Sequence, residues 1–353
     1  MPRTLLLPHG ISSNLYTLEL GRAYVKLGLQ VVFSADNLAQ GSFRPDIVHL
    51  QWPEEHYRWS GQGSVEAKAA HFLSRLTAFK QQGSHIVWTV HNVHPHEQAN
   101  DALDADVYQR VIDLADLIVH HCPVSQEALR ARYRVPNATP NVIAPHGNFF
   151  GYANTIGREE ARRRLGINAA TTVFLQFGQV RAYKGLNTLI QGFRGLRQPD
   201  KLLMIVGQYR SATGGAGWAE RLQMRWIKHV ELRVKTVFYE VPNDTVQLYM
   251  LAADAVVLSH HAGLNSGVAV LGMSFGKLVI APALGCVPSV LNEGVNLLYP
   301  AGDVKALSAA MAKVRHMDLA KVSEANLTAA RGWDWVANAQ RILAALPPAQ
   351  GHF

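Results

Sequence analysis

Two cations stand close together in the chain, directly after a predicted buried strand. Arg181 and Lys184 follow the apolar run 173–177, and Gly185 then opens an amphipathic run at helical spacing. A strand, a turn with two cations and the start of a helix bring fixed positive charge next to unpaired backbone N–H groups. Such a turn suits an anion, and a diphosphate is the ligand we expect. For this stretch alone, a solvated surface turn is an equally good interpretation.

A second turn of the same type lies further along the chain. Asn265, Ser266 and Gly267 follow a strand-like run and precede a small, apolar helix at 268–275. Glycine lets the backbone approach a ligand closely, and the helix start can bind phosphate oxygens. Two such turns in one half of the chain favour a nucleoside diphosphate over two unrelated structural turns.

The first half of the chain has polar and aromatic residues after two predicted strands, 46–50 and 86–90. Those of interest are Trp52, Glu54, His91, His94, His96 and Glu97. A metal site is one interpretation, but Pro95 prevents a regular helix and the spacings match no common zinc pattern. A hydrogen-bonded loop with capping histidines is another. We favour sugar binding combined with a general base, for which a histidine or Glu97 would serve.

The elements that must position these residues alternate between strands and helices. Short apolar strands separated by amphipathic runs are typical of an α/β protein with doubly wound parallel sheets. The pattern restarts near residue 150, which predicts two α/β halves, the second of which opens with the turn that suits an anion. No complete G-x-G-x-x-G follows the first strand, so a dinucleotide is not indicated.

Composition restricts the classes of protein. Of the net charge of +8, residues 1–150 carry −1 (12 Lys/Arg, 13 Asp/Glu) and residues 151–353 carry +9. This charge suits an anionic ligand or surface, but no nucleic-acid motif accompanies it. Two cysteines are too few for a disulfide-rich scaffold, and no apolar run could span a bilayer. We expect a cytoplasmic protein whose membrane contact, if any, is peripheral. In the basic amphipathic runs 67–79 and 218–234, internal packing is favoured over membrane binding.

Taken together, these motifs resemble the GT-B glycosyltransferases. The family's diphosphate turn, G-x-x-x-x-x-K-G, is matched by Gly178 through Lys184 and Gly185, and its later G-K-P-V-I-A stretch by residues 276–281. His91 lies where many members have a sugar-contacting histidine. The resemblance implies two Rossmann-like domains that face a cleft: an acceptor-binding domain over 1–150 and a domain over 151–353 that binds the nucleotide-sugar donor. It also implies that the last helix could pack back on the first domain.

The departures from the family pattern are informative. The retaining branch has two glutamates eight residues apart, and their positions here are Gly263 and Leu271. Gln179 replaces the arginine that usually follows the first glycine, so Arg181 takes over its role. Four motifs in order are similar to bacterial exopolysaccharide β-mannosyltransferases of the xanthan type. They are residues 49–54 (HLQWPE), 91–97 (HNVHPHE), 181–185 (RAYKG) and 265–267 (NSG).

That resemblance implies an inverting transferase that uses GDP-mannose and a polyprenyl-diphosphate-linked oligosaccharide at the inner membrane face. No metal or other cofactor is expected, because fixed cations would replace a metal. The base is predicted to be Glu97, then Glu54, then His96. Donor-binding residues would be Arg181, Lys184, Asn265, Ser266, Gly267, His91 and Tyr239, and acceptor-side residues Trp52 and His94. The alternatives are another nucleotide-sugar enzyme, such as an epimerase or UDP-sugar transferase, and a non-catalytic carbohydrate- or membrane-binding module.

Overall fold

The structure is a computed structural model. It describes residues 3–9, 15–58, 62–95, 101–179, 184–208, 233–291 and 295–348. The chain divides into two units. The first comprises residues 1–147 and 333–353, and the second comprises residues 148–332. The division falls after Gly147 rather than at residue 150, and the C-terminal helix lies in the first unit.

The first unit is built on a parallel six-stranded sheet with the order β2-β1-β3-β4-β5-β6. Its strands are β1 (Thr4–Leu7), β2 (Gln30–Phe33), β3 (Ile47–Leu50), β4 (His85–Thr89), β5 (Leu117–His120) and β6 (Asn141–Ile143). Its helices are α1 (Leu15–Lys26), α2 (Ala35–Gln40), α3 (Val65–Gln81), α4 (Asp101–Leu114), α5 (Pro123–Arg132) and the C-terminal helix (Trp335–Ala345). A 3-10 turn, Pro53–His56, follows β3.

Short apolar strands form this sheet because helices cover both of its faces. Strands β3, β4 and β5 are buried along their whole length, as continuous apolar runs in parallel sheets generally are. Helix starts carry the expected caps: the Ser34 and Ser64 hydroxyls accept hydrogen bonds from the backbone N–H groups of Asn37 and Ala67. The C-terminal helix packs on α1 and β6 and completes the core of this unit.

The second unit repeats the architecture with a parallel sheet of order β12-β11-β10-β7-β8-β9. Its strands are β7 (Thr172–Phe177), β8 (Lys201–Val206), β9 (Val234–Val237), β10 (Ala255–Val257), β11 (Leu278–Pro282) and β12 (Leu297–Tyr299). Its described helices are α6 (Arg158–Leu165), α7 (Leu186–Gly195), α8 (Val246–Ala252), α9 (Gly267–Ser274), α10 (Val287–Val290), α11 (Val304–Lys313) and α12 (Leu319–Arg331). A 3-10 turn, Val314–His316, follows α11.

A buried ion pair fixes the amino-terminal edge of the second sheet. Arg162 of α6 donates to the Asp254 carboxylate at 2.8 Å, and both side chains are buried. The same carboxylate accepts the backbone N–H of Val173 at the start of β7. Helix α6 is thereby held to the strands whose opposite ends carry the predicted phosphate turns.

The prediction of two doubly wound α/β units is confirmed by these two parallel sheets. The apolar and aromatic run 236–240 predicts a strand, but the structure places this strand, β9, two residues earlier, at Val234–Val237. Tyr239 therefore lies beyond its carboxyl end. The bounds of short strands are hard to predict because polar residues such as Lys235 occupy their exposed positions. The predicted helix over 218–234 lies mostly outside the described residues.

Candidate functional site

Lys184 of the second unit lies in a turn that is tightly packed against the neighbouring strand end. Gly185 has a φ of 62°, and a Cβ there would lie 2.0 Å from the backbone oxygen of Ser259. The Ser259 hydroxyl donates to the backbone oxygen of Lys184 at 2.6 Å. Only glycine fits at position 185, both for its left-handed backbone and for its contact with the segment after β10.

The Lys184 ammonium lies beside the end of β7 and the start of α9. A Cβ built on Gly178 would be 3.6 Å from Lys184 Nζ and 3.4 Å from Val268 Cγ2. Lys184, one of the two predicted diphosphate-binding cations, is therefore close to the first turn of helix α9, which follows the second predicted phosphate turn. Arg181, its predicted partner, lies outside the described residues. A cation and a helix start at the carboxyl edge of a parallel sheet suit an anionic ligand.

Helix α9 begins where the sequence predicts, but its cap uses one of the predicted ligand residues. Ser266 is the N-cap, and its hydroxyl accepts a hydrogen bond from the backbone N–H of Ala269 at 3.4 Å. The N–H groups of the first helical residues, Gly267 and Val268, lie at the position where a helix has no internal acceptors. Asn265 and Ser266 are half-buried. Backbone N–H groups at a helix start can bind phosphate oxygens.

Tyr239 is an exposed side chain after β9, and its hydroxyl is 3.4 Å from that of Tyr249. Strands β7 and β9 are separated by β8, so Tyr239 lies two strand spacings, about 10 Å, from the end of β7. It shares the carboxyl edge with Lys184.

The carboxyl edge of the first sheet places Trp52 and His91 in direct contact. Their rings stack with centroids 4.4 Å apart and planes at 22°. The side-chain amide oxygen of Gln51, Oε1, lies 2.9 Å from His91 Nε2. His91 Nε2 therefore carries the proton and donates the hydrogen bond. Burial lowers the pKa of His91 well below its usual value and keeps the ring neutral. The predicted donor-side histidine, which is buried, and the predicted acceptor-side tryptophan, which is half-buried, are thus in direct contact.

A second histidine, His9, is fixed by hydrogen bonds on both ring nitrogens. Its Nε2 accepts the backbone N–H of Gln51 at 3.0 Å, so the proton resides on Nδ1 and is donated to the Glu55 carboxylate at 3.2 Å. His9 is buried, whereas Glu55 is exposed. The pair holds His9 in one defined tautomer, and the His9 ring makes an edge contact with Trp52.

Further histidines at this edge were not singled out from the sequence. They are His121, after β5, and His146, after β6. Both rings contact Tyr16, as does Trp335. His121 Nδ1 donates to the backbone oxygen of Ala144. Burial lowers the pKa of His121 to about 4 and that of His146 to about 3. The sequence did carry a signal for His9, His121 and His146: each lies within three residues after the end of its strand, β1, β5 or β6.

Glu54, predicted as the second choice of base, is buried rather than presented at the surface. It is 3% exposed, and its carboxylate accepts a hydrogen bond from the Tyr108 hydroxyl at 2.8 Å. Burial raises the pKa of Glu54 to about 7. That pKa would suit a general base, but the burial leaves no access for an acceptor hydroxyl in this arrangement.

The remaining predicted residues of the first unit, His94, His96 and Glu97, follow β4 in the sequence. His94 is half-buried, and its Nδ1 lies 2.9 Å from the backbone oxygen of Pro95. His96 and Glu97 lie outside the described residues. Asp104 is in α4 and pairs with Arg58 and the Tyr57 hydroxyl. Within the described ranges, no three His, Cys, Asp or Glu side chains are grouped as metal ligands.

Comparison with known proteins identifies the class to which this geometry corresponds. Residues 157–329 match the family model described as "Glycosyl transferases group 1". The chain superposes on sucrose-phosphate synthase from Thermosynechococcus elongatus with a TM-score of 0.76, at 18% identity and 98% coverage of both chains. It superposes on Anabaena Alr3699/HepE, solved with UDP and glucose, with a TM-score of 0.74 at 16% identity, covering 98% and 99% of the two chains. The chain therefore has the GT-B fold of two Rossmann-like units.

Curated relatives narrow the resemblance. The chain is 27% identical over 252 residues to "GDP-mannose:glycolipid 4-beta-D-mannosyltransferase" of Xanthomonas campestris pv. campestris, covering 68% of this chain and 62% of the relative. It is 24% identical over 263 residues to "D-inositol 3-phosphate glycosyltransferase" of Corynebacterium diphtheriae, covering 71% and 58%. The matched region spans about three fifths of these relatives' length. The similarity to the xanthan-type group that the sequence motifs indicated is confirmed.

Among the residues that the structure describes, no helix is both long enough and apolar enough to cross a membrane.

Proposed function

We propose that this chain is an inverting glycosyltransferase that transfers mannose from GDP-mannose to a lipid-linked oligosaccharide in exopolysaccharide synthesis. The observation that carries the proposal is the position of Lys184, whose ammonium lies at the end of β7 beside the first turn of α9. A fixed cation next to free helix N–H groups matches the charge of a diphosphate. The similarity to the Xanthomonas mannosyltransferase supports the choice of donor.

In this proposal the donor site catalyses the reaction by stabilising the departing nucleoside diphosphate. Lys184 and Arg181 bind its phosphate oxygens, and the N–H groups at the start of α9 add oriented dipoles. Negative charge develops on the leaving diphosphate as the glycosidic bond breaks, so fixed donors lower the barrier. No metal is required because the two side-chain cations supply the positive charge. Asn265, Ser266, Gly267 and Tyr239 complete the donor site.

A base of the first unit removes the proton from the acceptor hydroxyl, which attacks the anomeric carbon from the face opposite the diphosphate. Glu97 is our choice, with His96 as second. The buried environment of Glu54 makes it the weakest of the three candidates. The stacked Trp52 and His91, with His94 nearby in sequence, provide the aromatic and polar surface that a sugar ring requires.

Glu97→Gln tests the assignment of the base. The amide retains the size of the carboxylate but cannot accept a proton, so transfer should fall by about 10²-fold or more while GDP-mannose still binds. Titration calorimetry measures donor binding, and a radiolabel transfer assay measures turnover. Normal turnover by this variant would remove Glu97 from the mechanism.

The reaction class is tested by transfer from GDP-, UDP- and ADP-sugars to a polyprenyl-diphosphate-linked oligosaccharide on vesicles. Inverted anomeric configuration of the product by NMR, with GDP-mannose as the best donor, is the expected result. Retained configuration or a preference for a UDP-sugar would favour another nucleotide-sugar enzyme. If no nucleotide raises the thermal stability, a non-catalytic carbohydrate- or membrane-binding module becomes the better account.

A further inference from the structure

The segment that follows β10 joins the two predicted phosphate turns of the second unit. It runs over residues 258–266 and ends at the N-cap of α9. The Ser259 hydroxyl of this segment donates to the backbone oxygen of Lys184. Two residues further on, His261 Nε2 lies 3.1 Å from the hydroxyl oxygen of Thr188, the third residue of α7. His261 therefore connects the segment before α9 with the helix that starts directly after the Lys184 turn.

The imidazole of His261 is held by close packing as well as by this hydrogen bond. A Cβ built on Gly185 would lie 2.6 Å from His261 Nε2, so the ring occupies the space that a side chain there would need. On the other side, a Cβ built on Gly302, in the turn before α11, would lie 3.6 Å from His261 Nδ1. The ring therefore lies between the start of α7 and the start of α11, although the residue as a whole is exposed.

The hydrogen bond between His261 and Thr188 favours one relative position of the two segments. Either tautomer of the neutral imidazole can form it, because a threonine hydroxyl both donates and accepts. Thr188 is 7% exposed. A buried hydroxyl gains more from a protein partner than an exposed one, since water has little access to replace that partner. The bond therefore stabilises the arrangement in which the first turn of α7 lies against the segment after β10.

We infer that His261 is a positioning residue of the donor site, which holds the first turn of α7, and with it Lys184, in the arrangement that binds the diphosphate. The inference rests on the proposed function, since it requires the diphosphate to bind at Lys184. His261 acts through Thr188 and not through contact with the ligand. Without the bond, a fraction of the molecules holds the turn in other positions, and the apparent affinity falls in proportion to the fraction that remains competent.

His261→Leu and Thr188→Val each remove the hydrogen bond and test the inference. Either change should weaken the binding of GDP and of GDP-mannose about fivefold, the loss expected for one hydrogen bond of typical net strength. Valine keeps the shape of threonine and His261 is exposed, so both variants should fold. The double variant should bind no more weakly than either single variant, because both changes remove the same bond. Calorimetric titration measures the affinities.

Two amide substitutions show which ring nitrogen of His261 is responsible. The carboxamide of a glutamine reaches roughly as far as Nε2, whereas that of an asparagine reaches only as far as Nδ1. A carboxamide can donate or accept a hydrogen bond. His261→Gln should therefore restore most of the affinity, and His261→Asn should bind as weakly as His261→Leu.

Thr172→Val is a matched control in the same unit. The Thr172 hydroxyl accepts a hydrogen bond from Gln198 Nε2 at the amino-terminal end of β7, at the opposite edge of the sheet. This variant should lower the Tm about as much as Thr188→Val, because each change removes one hydrogen bond, and it should leave nucleotide affinity unchanged. A purely structural role of His261 would give the same pattern, a lower Tm in His261→Leu with wild-type affinity.

The outcomes that overturn the inference are distinct from those that overturn the proposed function. Wild-type affinity in His261→Leu or Thr188→Val, additive losses in the double variant, or restoration by His261→Asn instead of His261→Gln would overturn the role of His261. If the wild-type chain binds none of GDP, GDP-mannose, UDP and UDP-glucose, the donor site itself is wrong. If the wild type binds and Lys184→Met weakens binding while His261→Leu does not, only the role of His261 is overturned.

Discussion

Acidification should destabilise the first unit through its buried histidines. Burial lowers the pKa of His49 to about 3, of His121 to about 4 and of His146 to about 3, from a usual value of 6.5. The pKa values of His56, His85, His91 and His120 are lowered in the same direction. As the pH falls below 6.5, the unfolded chain takes up protons that the folded unit does not. Stability is therefore present above pH 6.5 and lost below it.

The magnitude follows from these values. A histidine with a folded pKa of 3 to 4 costs about 2 kcal/mol at pH 5 relative to neutral pH, so the three with stated values cost about 6 kcal/mol. Glu54 acts in the opposite direction. Its folded pKa of about 7 exceeds the usual 4.5, so its contribution is present below pH 4.5 and lost as the pH rises through 7. Acidification to pH 5 therefore returns about 2 kcal/mol, and a net loss of about 4 kcal/mol remains.

Tryptophan fluorescence during urea unfolding measures this change in one unit. Five of the seven tryptophans belong to the first unit, and a Trp218→Phe, Trp226→Phe background removes the other two. The urea midpoint should fall clearly between pH 7.5 and pH 5. His121→Leu, which loses one hydrogen bond and one titrating group, should reduce the pH-dependent part by about 2 kcal/mol. An equal midpoint at both pH values, or an unchanged pH dependence in His121→Leu, would refute the reasoning.

Two further changes test the structural basis of the site. Gly185→Ala should lower both stability and nucleotide affinity strongly, because its Cβ would overlap the backbone oxygen of Ser259; Gly166→Ala has the same φ of 62° but open space around it and should cost only about 1 kcal/mol in urea unfolding. Equal effects of the two would show that packing at Gly185 is unimportant. Asp254→Asn should cost about 3–5 kcal/mol in the same assay because it leaves the Arg162 guanidinium buried without a counter-charge. A loss below about 1 kcal/mol, the range of surface pairs, would contradict that account.

The strands and the turn that carries Lys184 could be predicted from the sequence because both depend on local patterns. Short continuous apolar runs such as 201–206 are typical of strands buried in a parallel sheet. Gly178, Lys184 and Gly185 are close together in the sequence. In the structure, Lys184 lies near the first residues of helix α9. The start of the short strand β9 was placed two residues too late because Lys235 interrupts its apolar pattern.

The parts that sequence reasoning missed depend on long-range packing. His9 lies more than a hundred residues before His121 and His146, and only the parallel order of the sheet brings their strand ends to one edge. Burial of Glu54 follows from the short 3-10 turn that directs it towards Tyr108 of α4. No local pattern encodes either arrangement.

The central claim is that the second unit binds a nucleoside diphosphate sugar through Lys184 without a metal. Calorimetric titration with GDP-mannose in the presence of EDTA tests it most directly, using the wild type, Lys184→Met and the exposed control Lys321→Met. The wild type and Lys321→Met should bind equally, and Lys184→Met should bind about ten- to a hundredfold more weakly, the loss expected for a charge-assisted hydrogen bond. Binding that appears only after Mg²⁺ or Mn²⁺ is added, or equal affinity in Lys184→Met, would contradict the account.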